Sequence, residues 1–225
     1  MNHRGLRKLL LLFAVGAMFV KVVAIPVTPL ANSKAADGEP MGFYGRPMLG
    51  VLMSQIDGDQ ASGYNKLGFQ VGMSTGYRWE GKGINALEMQ MALAERGSRR
   101  PFNAETMVNE FHIRCRQIEL QLNAIRPLSV GGLGAVDLVA GLRAFRVLEV
   151  RETQGYNPGI ANDFRKNGVM IHLGVGRTID EHWHMRIGVD YSLNSLVKGG
   201  TQSVFYPTGV YHNGMGATVF YKWGG

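Results

Sequence analysis

Over most of this chain, apolar and polar residues trade places at every step. Leu67, Phe69, Val71 and Met73 are interleaved with Gly68, Gln70, Gly72 and Ser74. Further on, Leu87, Met89, Met91 and Leu93 share one side, and Glu88 and Gln90 the other. Ile118, Leu120 and Leu122 oppose Gln117, Glu119, Gln121 and Asn123 in the same way. Val169, Ile171, Leu173 and Val175 oppose His172, Gly174 and Gly176, and Met185, Ile187 and Val189 oppose His184, Arg186, Gly188 and Asp190. A period of two is that of a β-strand, whose successive side chains point to opposite faces, whereas a helix needs apolar residues three and four apart. The repeat therefore demands sheet. Composition agrees, because 31 glycines with only 8 prolines suit a glycine-punctuated sheet protein.

Eight alternating segments can be laid down, over 47–54, 66–79, 84–95, 110–125, 133–149, 168–179, 183–197 and 213–223. Their connections alternate in length. Those at 80–83, 126–132 and 180–182 are short; those at 56–65, 96–109, 150–167 and 198–212 are long and polar. Short turns at one end and long loops at the other predict an all-β, eight-stranded antiparallel up-and-down barrel of the transmembrane type, with periplasmic turns and extracellular loops.

The face pattern has two inverse readings. In a soluble lipocalin-like binder the apolar side points inward; in a membrane barrel it meets lipid and the polar side fills a narrow bore. The turn bias favours the membrane reading, as do aromatics on the apolar face beside the short turns: Tyr77 and Trp79, Trp183, and Tyr221 with Trp223. The bore is then expected to hold Lys66, Arg78, Glu88, Glu119, Asp137, Arg143, His184, Arg186, Asp190 and Lys222. Mixed charges in a low-dielectric bore must pair. Eight strands leave only enough interior for side chains, so a general diffusion pore is not expected. One irregularity stands out: Phe111 and Ile113 break phase with Ile118 to Leu122, which predicts either a bulge near Cys115 or a strand that continues above the membrane.

The first 35 residues read as a signal peptide. Arg4, Arg7 and Lys8 precede an apolar run at 9–20 that is too short to span as a helix, and small residues at Ser33 and Ala35 offer a cleavage site, with Ala17 and Ala24 as alternatives. Residues 36–46 read as a polar tether and 47–225 as the barrel. The formal charge of +7 is scattered rather than striped, which argues against a nucleic-acid partner. A single cysteine, Cys115, excludes an intramolecular disulfide framework.

The stretch GRPMLGVLMSQIDGDQASGYNKLGFQVGMSTGYRW resembles the opening of the PorT-like outer-membrane β-barrel proteins of Bacteroidetes-type bacteria, with Tyr64, Lys66 and Gly68 matching the entry to the second strand. The segments INALEMQMALAERGSR, RQIELQLNAIRP, LGAVDLVAGLRA and GMGATVFYKWGG follow in matching order, so the resemblance runs from about Gly45 to the end. It implies residence in the cell outer membrane, contact with outer-membrane lipid, and a link to envelope or secretion-system proteins. Arg114 and Arg116 depart from the family's more apolar strand, and the terminal Gly224 and Gly225 from its closing aromatic.

No constellation of residues calls for a cofactor. Asp57 and Asp59 are followed only by Gln60 and Ser62, too few oxygen ligands for calcium, and His182 and His184 lack further zinc ligands. His172 and His184 could face Asp190 or Glu119 across the bore, which keeps open a small lipid-modifying or hydrolytic barrel enzyme, although no serine is positioned as its nucleophile. The favoured reading is a non-enzymatic structural or accessory barrel. Its bore network is expected to centre on Glu88, Glu119, Asp137, Arg143, Arg186 and Asp190. Its partner-gripping residues are expected among the loop aromatics and their neighbours: Tyr156, Phe164, Arg165, Phe205, Tyr206 and Tyr211.

Overall fold

The computed structural model describes residues 41–57, 64–81, 83–100, 110–130, 134–153, 164–196 and 211–222. They form eight strands in chain order: β1 (Gly42–Asp57), β2 (Lys66–Arg78), β3 (Ala86–Arg100), β4 (Phe111–Val130), β5 (Gly134–Thr153), β6 (Asn167–Thr178), β7 (Trp183–Ser192) and β8 (Tyr211–Tyr221). Each pairs antiparallel with its sequence neighbours, and β8 closes on β1 through pairs such as Leu52 with Gly216. Closure satisfies the backbone of the whole ring without an open edge, which hydrocarbon requires.

The wall is inverted relative to a soluble barrel. Leu67, Phe69, Val71 and Met73 project outward with about half or more of their surface exposed, as do Leu87 and Met91. Gln70, Ser74, Glu88, Gln90, Glu119 and Gln121 are buried inside. The pocket a lipocalin-like binder would need is thus packed with polar side chains, which removes that reading. From Leu67 to Tyr77 the apolar face runs unbroken but for Thr75. At ~3.4 Å per residue and a tilt of ~40°, it covers ~26 Å of membrane normal, close to the apolar band of outer-membrane barrels. At the short-turn end this band finishes in an aromatic rim: Phe43 lies 4.8 Å from Tyr77, Tyr77 stacks on Trp79 at 6.3 Å, and Trp183 meets Tyr221 edge-on at 5.0 Å. Trp223 falls outside the described residues.

The barrel starts earlier than the alternation indicates. β1 begins at Gly42, so five residues assigned to the tether belong to the wall, and Phe43 among them is the most exposed of the rim aromatics. Pro47 sits within β1 because the β8 pairing starts only at Met48, leaving no ladder bond on that side for its missing N–H to forfeit. The signal segment, Asp59, and the remainder of the tether up to residue 40 lie outside the described residues.

The irregularity around Ile113 and Cys115 has a simple cause. β4 keeps its phase against β3 from Phe111 to Ile125, with Arg96 opposite Cys115 and Ala92 opposite Glu119. What changes is the polarity code. Toward the long connections, the interior holds Ile56, Ile113, Cys115, Phe145, Val147, Phe164, Met170 and Leu196, while the exterior carries Arg99, Arg114, Arg116 and Arg151. The strand continues past the apolar band, and there its outside meets water. A bulge is present too, but on the neighbouring strand: Arg116 pairs with Glu149 and Gln117 with Val147, leaving Leu148 of β5 unpaired.

Gly97 bends β3 at this transition. Its φ of +151° lies where side-chain-bearing residues are strained, an added Cβ would collide with the carbonyl oxygen of Ile113, and its N–H donates to Ser54 Oγ at 2.9 Å. Replacing Gly97 with Ala is expected to destabilise the folded barrel by about 2–4 kcal/mol, read as a lower urea midpoint in lipid vesicles.

Candidate functional site

Among the described residues, charge is concentrated and enclosed in the bore, which is built in layers. Below the apolar plug lies an upper cluster. Arg96 of β3 pairs with Glu119 of β4 at 2.6 Å and with Asp190 of β7 at 2.8 Å. Arg143 of β5 pairs with the same two carboxylates at 2.8 and 2.9 Å. Two guanidiniums thus alternate with two carboxylates in a closed square. Gln117 donates to Glu119 at 2.7 Å, Arg143 Nε donates to Gln121 at 2.7 Å, and His172 Nδ1 lies 2.7 Å from Asp190. Neutralised in sign and bonded at both oxygens, Glu119 and Asp190 meet the conditions under which charge survives away from water.

A lower cluster turns on Glu88. Its carboxylate accepts Arg46 at 2.6 Å, Arg186 at 2.7 Å, Gln90 at 2.6 Å, and Tyr44 and Asn123 at 3.1 Å. Phe220 sits under both cations, 5.1 Å from the Arg46 guanidinium and 4.8 Å from that of Arg186. Nearer the short turns, Arg78 donates to Asp137 at 3.3 Å. Between the clusters Gln70 donates to Thr218 at 2.5 Å, and a void of only about 10 Å³ remains beside Leu52, His172 and Gly216. That is room for one water at most.

These long side chains fit because the facing wall is glycine. A Cβ on Gly188 would stand 2.5 Å from His172 Cε1, one on Gly214 2.7 Å from Arg96 Nη1, and one on Gly176 2.6 Å from His184 Nε2. Gly176, Gly188 and Gly214 are therefore receptacles for the bore's rings and guanidiniums.

Glu88, Glu119, Asp137, Arg143, Arg186 and Asp190 all face the bore, but as separate layers rather than a single web. One expected member behaves differently, while His184 lies in the bore as expected. Lys66 is buried but turns its ammonium to Glu95 at 2.7 Å, on the outer face of β3, where Arg114 also reaches that carboxylate. His184 packs edge-on against Phe220 at 5.7 Å, while His182 is exposed at the turn, so the two histidines do not share a face. His172 is held by a carboxylate that already carries two guanidiniums, which is a salt-bridge core rather than a base-orienting pair. Arg46 and Arg96, neither of them anticipated, are the largest fully buried side chains. Following the inward phase one step beyond the segments at 47 and 95 would have found both.

Among the expected gripping residues, Phe164 is 5% exposed and packs into the apolar plug, so its ring is out of a partner's reach. Tyr211 belongs to the wall of β8 and stacks on Tyr191 at 6.5 Å rather than standing in a loop. Arg165 is exposed. Tyr156, Phe205 and Tyr206 lie outside the described residues. No group of three or more metal-ligating side chains is found among the described residues.

No protein-family model and no curated protein matches the chain. Solved structures with a similar course include Ail, the attachment invasion locus protein of Yersinia pestis, crystallised with sucrose octasulfate. That match has 11% identity and a TM-score of 0.47, covering 82% of this chain and 100% of that one. Neisserial surface protein A aligns at 16% identity and TM-score 0.45, over 81% of this chain and 97% of that one. The outer membrane protein OprG from Pseudomonas aeruginosa aligns at 13% and 0.31, over 82% and 95%. At these values the likeness concerns architecture alone and carries no activity across.

Two outcomes are expected. Asp190→Ala leaves Arg96 and Arg143 to share the single carboxylate of Glu119, one buried cation uncompensated, and should cost about 3–5 kcal/mol of unfolding free energy in lipid vesicles. Planar-bilayer recordings of the wild-type barrel should show no sustained ion conductance, because two ion-paired layers lie across the bore.

Proposed function

We propose that the protein is a non-enzymatic barrel of a bacterial outer membrane, with its short turns in the periplasm and its long connections outside, serving an envelope assembly as a structural or accessory component. The observation that carries this reading is the inverted polarity of the wall: an exposed apolar band around charges paired in the interior. Between the two charge clusters the described bore keeps a void of only about 10 Å³, which argues against a role in solute passage. Function then belongs to the outer wall and the long-connection end. The resemblance to PorT-like barrels supports a finer proposal, that the partner is a component of protein secretion.

Membrane fractionation combined with gel mobility of unheated and boiled samples tests the location. The expected result is outer-membrane partitioning with a heat-dependent mobility shift, because a closed barrel resists detergent until heated. Recovery in the soluble periplasmic fraction would end the proposal. Co-purification from the outer-membrane fraction then tests the secretion link: enrichment of secretion components supports it, and recovery of the barrel alone removes it.

A further inference from the structure

On the outer wall, where β4, β5 and β6 meet below the long connections, a groove of about 580 Å³ is lined by Ile118, Leu120, Ala144, Val169, Arg146 and Arg165, among others. That volume is in the range of small-molecule sites, about 300–1,000 Å³. Register explains its shape. Leu120 pairs with Ala144 and Ala144 with Val169, so one row across the sheet is large, small, large, with a trough at Ala144. The next row toward the long connections is Ile118, Arg146 and Asn167. Apolar wall thus gives way to a guanidinium within two residues of β5.

The rim is held in place. Arg165 N donates to Leu196 O at 2.5 Å, Val147 N to Lys166 O at 2.6 Å, and Val169 N to Asn194 Oδ1 at 2.7 Å. The other outward arginines at this end have carboxylate partners: Arg99 with Glu110, Arg114 with Glu95, Arg116 with Glu149, and Arg151 with Glu149. Arg146 and Arg165 do not. Among the described residues neither makes an ion pair or a side-chain hydrogen bond, and both are exposed at the mouth of one apolar groove.

We infer that this groove binds a phosphate-bearing lipid of the leaflet facing the long connections, with an acyl chain along Leu120, Ala144 and Val169 and the phosphate held between Arg146 and Arg165. The chemistry is complementary at both ends: hydrocarbon on the trough, and an oxyanion before two forked cations placed where the apolar band stops. The assignment rests on the outer-membrane reading for which leaflet is meant, whereas the binding chemistry does not.

Native mass spectrometry of the folded, detergent-solubilised protein, titrated with diphosphoryl lipid A and separately with its dephosphorylated form, tests it. The wild type should retain the phosphorylated lipid, and R146A/R165A should lose roughly tenfold or more in apparent affinity while keeping the heat-dependent mobility shift. Ala144→Phe, which fills the trough and leaves both arginines, should lose binding as well. Arg177→Ala, removing an exposed arginine at the opposite end of β6, should change nothing. Equal binding of the dephosphorylated lipid, unchanged affinity in R146A/R165A, or an equal loss in Arg177→Ala would overturn the site. Because the titration is read in detergent, failure here leaves the membrane location standing, and recovery of a lipid-binding protein from the soluble fraction would sink the location alone.

Discussion

Charge in the bore has to be paired, and much else in the structure follows from that. A ring of eight strands encloses a space that water enters poorly, where an isolated carboxylate or guanidinium would cost several kcal/mol. Glu88, Glu119 and Asp190 are each met by two cations, and amides from Gln90, Asn123 and Gln117 take up remaining oxygens. The inward glycines of β6, β7 and β8 are the counterpart on the opposite wall. Removing their side chains gives Arg96, His172 and His184 somewhere to lie.

The wall carries two codes stacked one above the other. Beside the apolar band, outside is apolar and inside is polar; toward the long connections, outside is charged and inside is the plug around Phe145, Ile113 and Phe164. β4 changes code without changing phase. β5 instead adds Leu148, and the extra residue brings Glu149 and Arg151 to the outside opposite Arg116 and Arg114. One unpaired residue is enough to keep charges in water on both strands.

The strands were legible wherever a single code held, as from Leu67 to Met73 or Leu87 to Leu93, because lipid on one side and a filled bore on the other enforce strict alternation. Legibility failed at the code boundary. Arg96 was assigned to a loop, although it continues the inward phase of Glu88, Gln90, Ala92 and Ala94. Arg46 falls in the tether when the first strand is started at Pro47, because the offset between the β2 and β8 pairings that seats Pro47 inside the strand is not visible in the sequence. Pairing partners were harder still. Alternation says that Lys66 starts on the inner face, but not that its ammonium leaves the bore for Glu95, and it cannot distinguish an aromatic that plugs, as Phe164 does, from one that is presented.

The ion pairs of the bore join residues far apart in the chain. Arg96 and Asp190 are 94 residues apart, and Glu88 and Arg186 are 98 apart. A sheet of the first four strands would hold Glu88, Arg96 and Glu119 with the β7 partners still missing and its inner face open. Such a half-built sheet keeps Arg46 with Glu88 and Arg96 with Glu119, but leaves these pairs uncovered and without the β5 and β7 groups that complete each cluster, which hydrocarbon penalises. The charge clusters of the bore are complete only once β7 has joined the wall, so electrostatics as well as hydrogen bonding favours closing the ring.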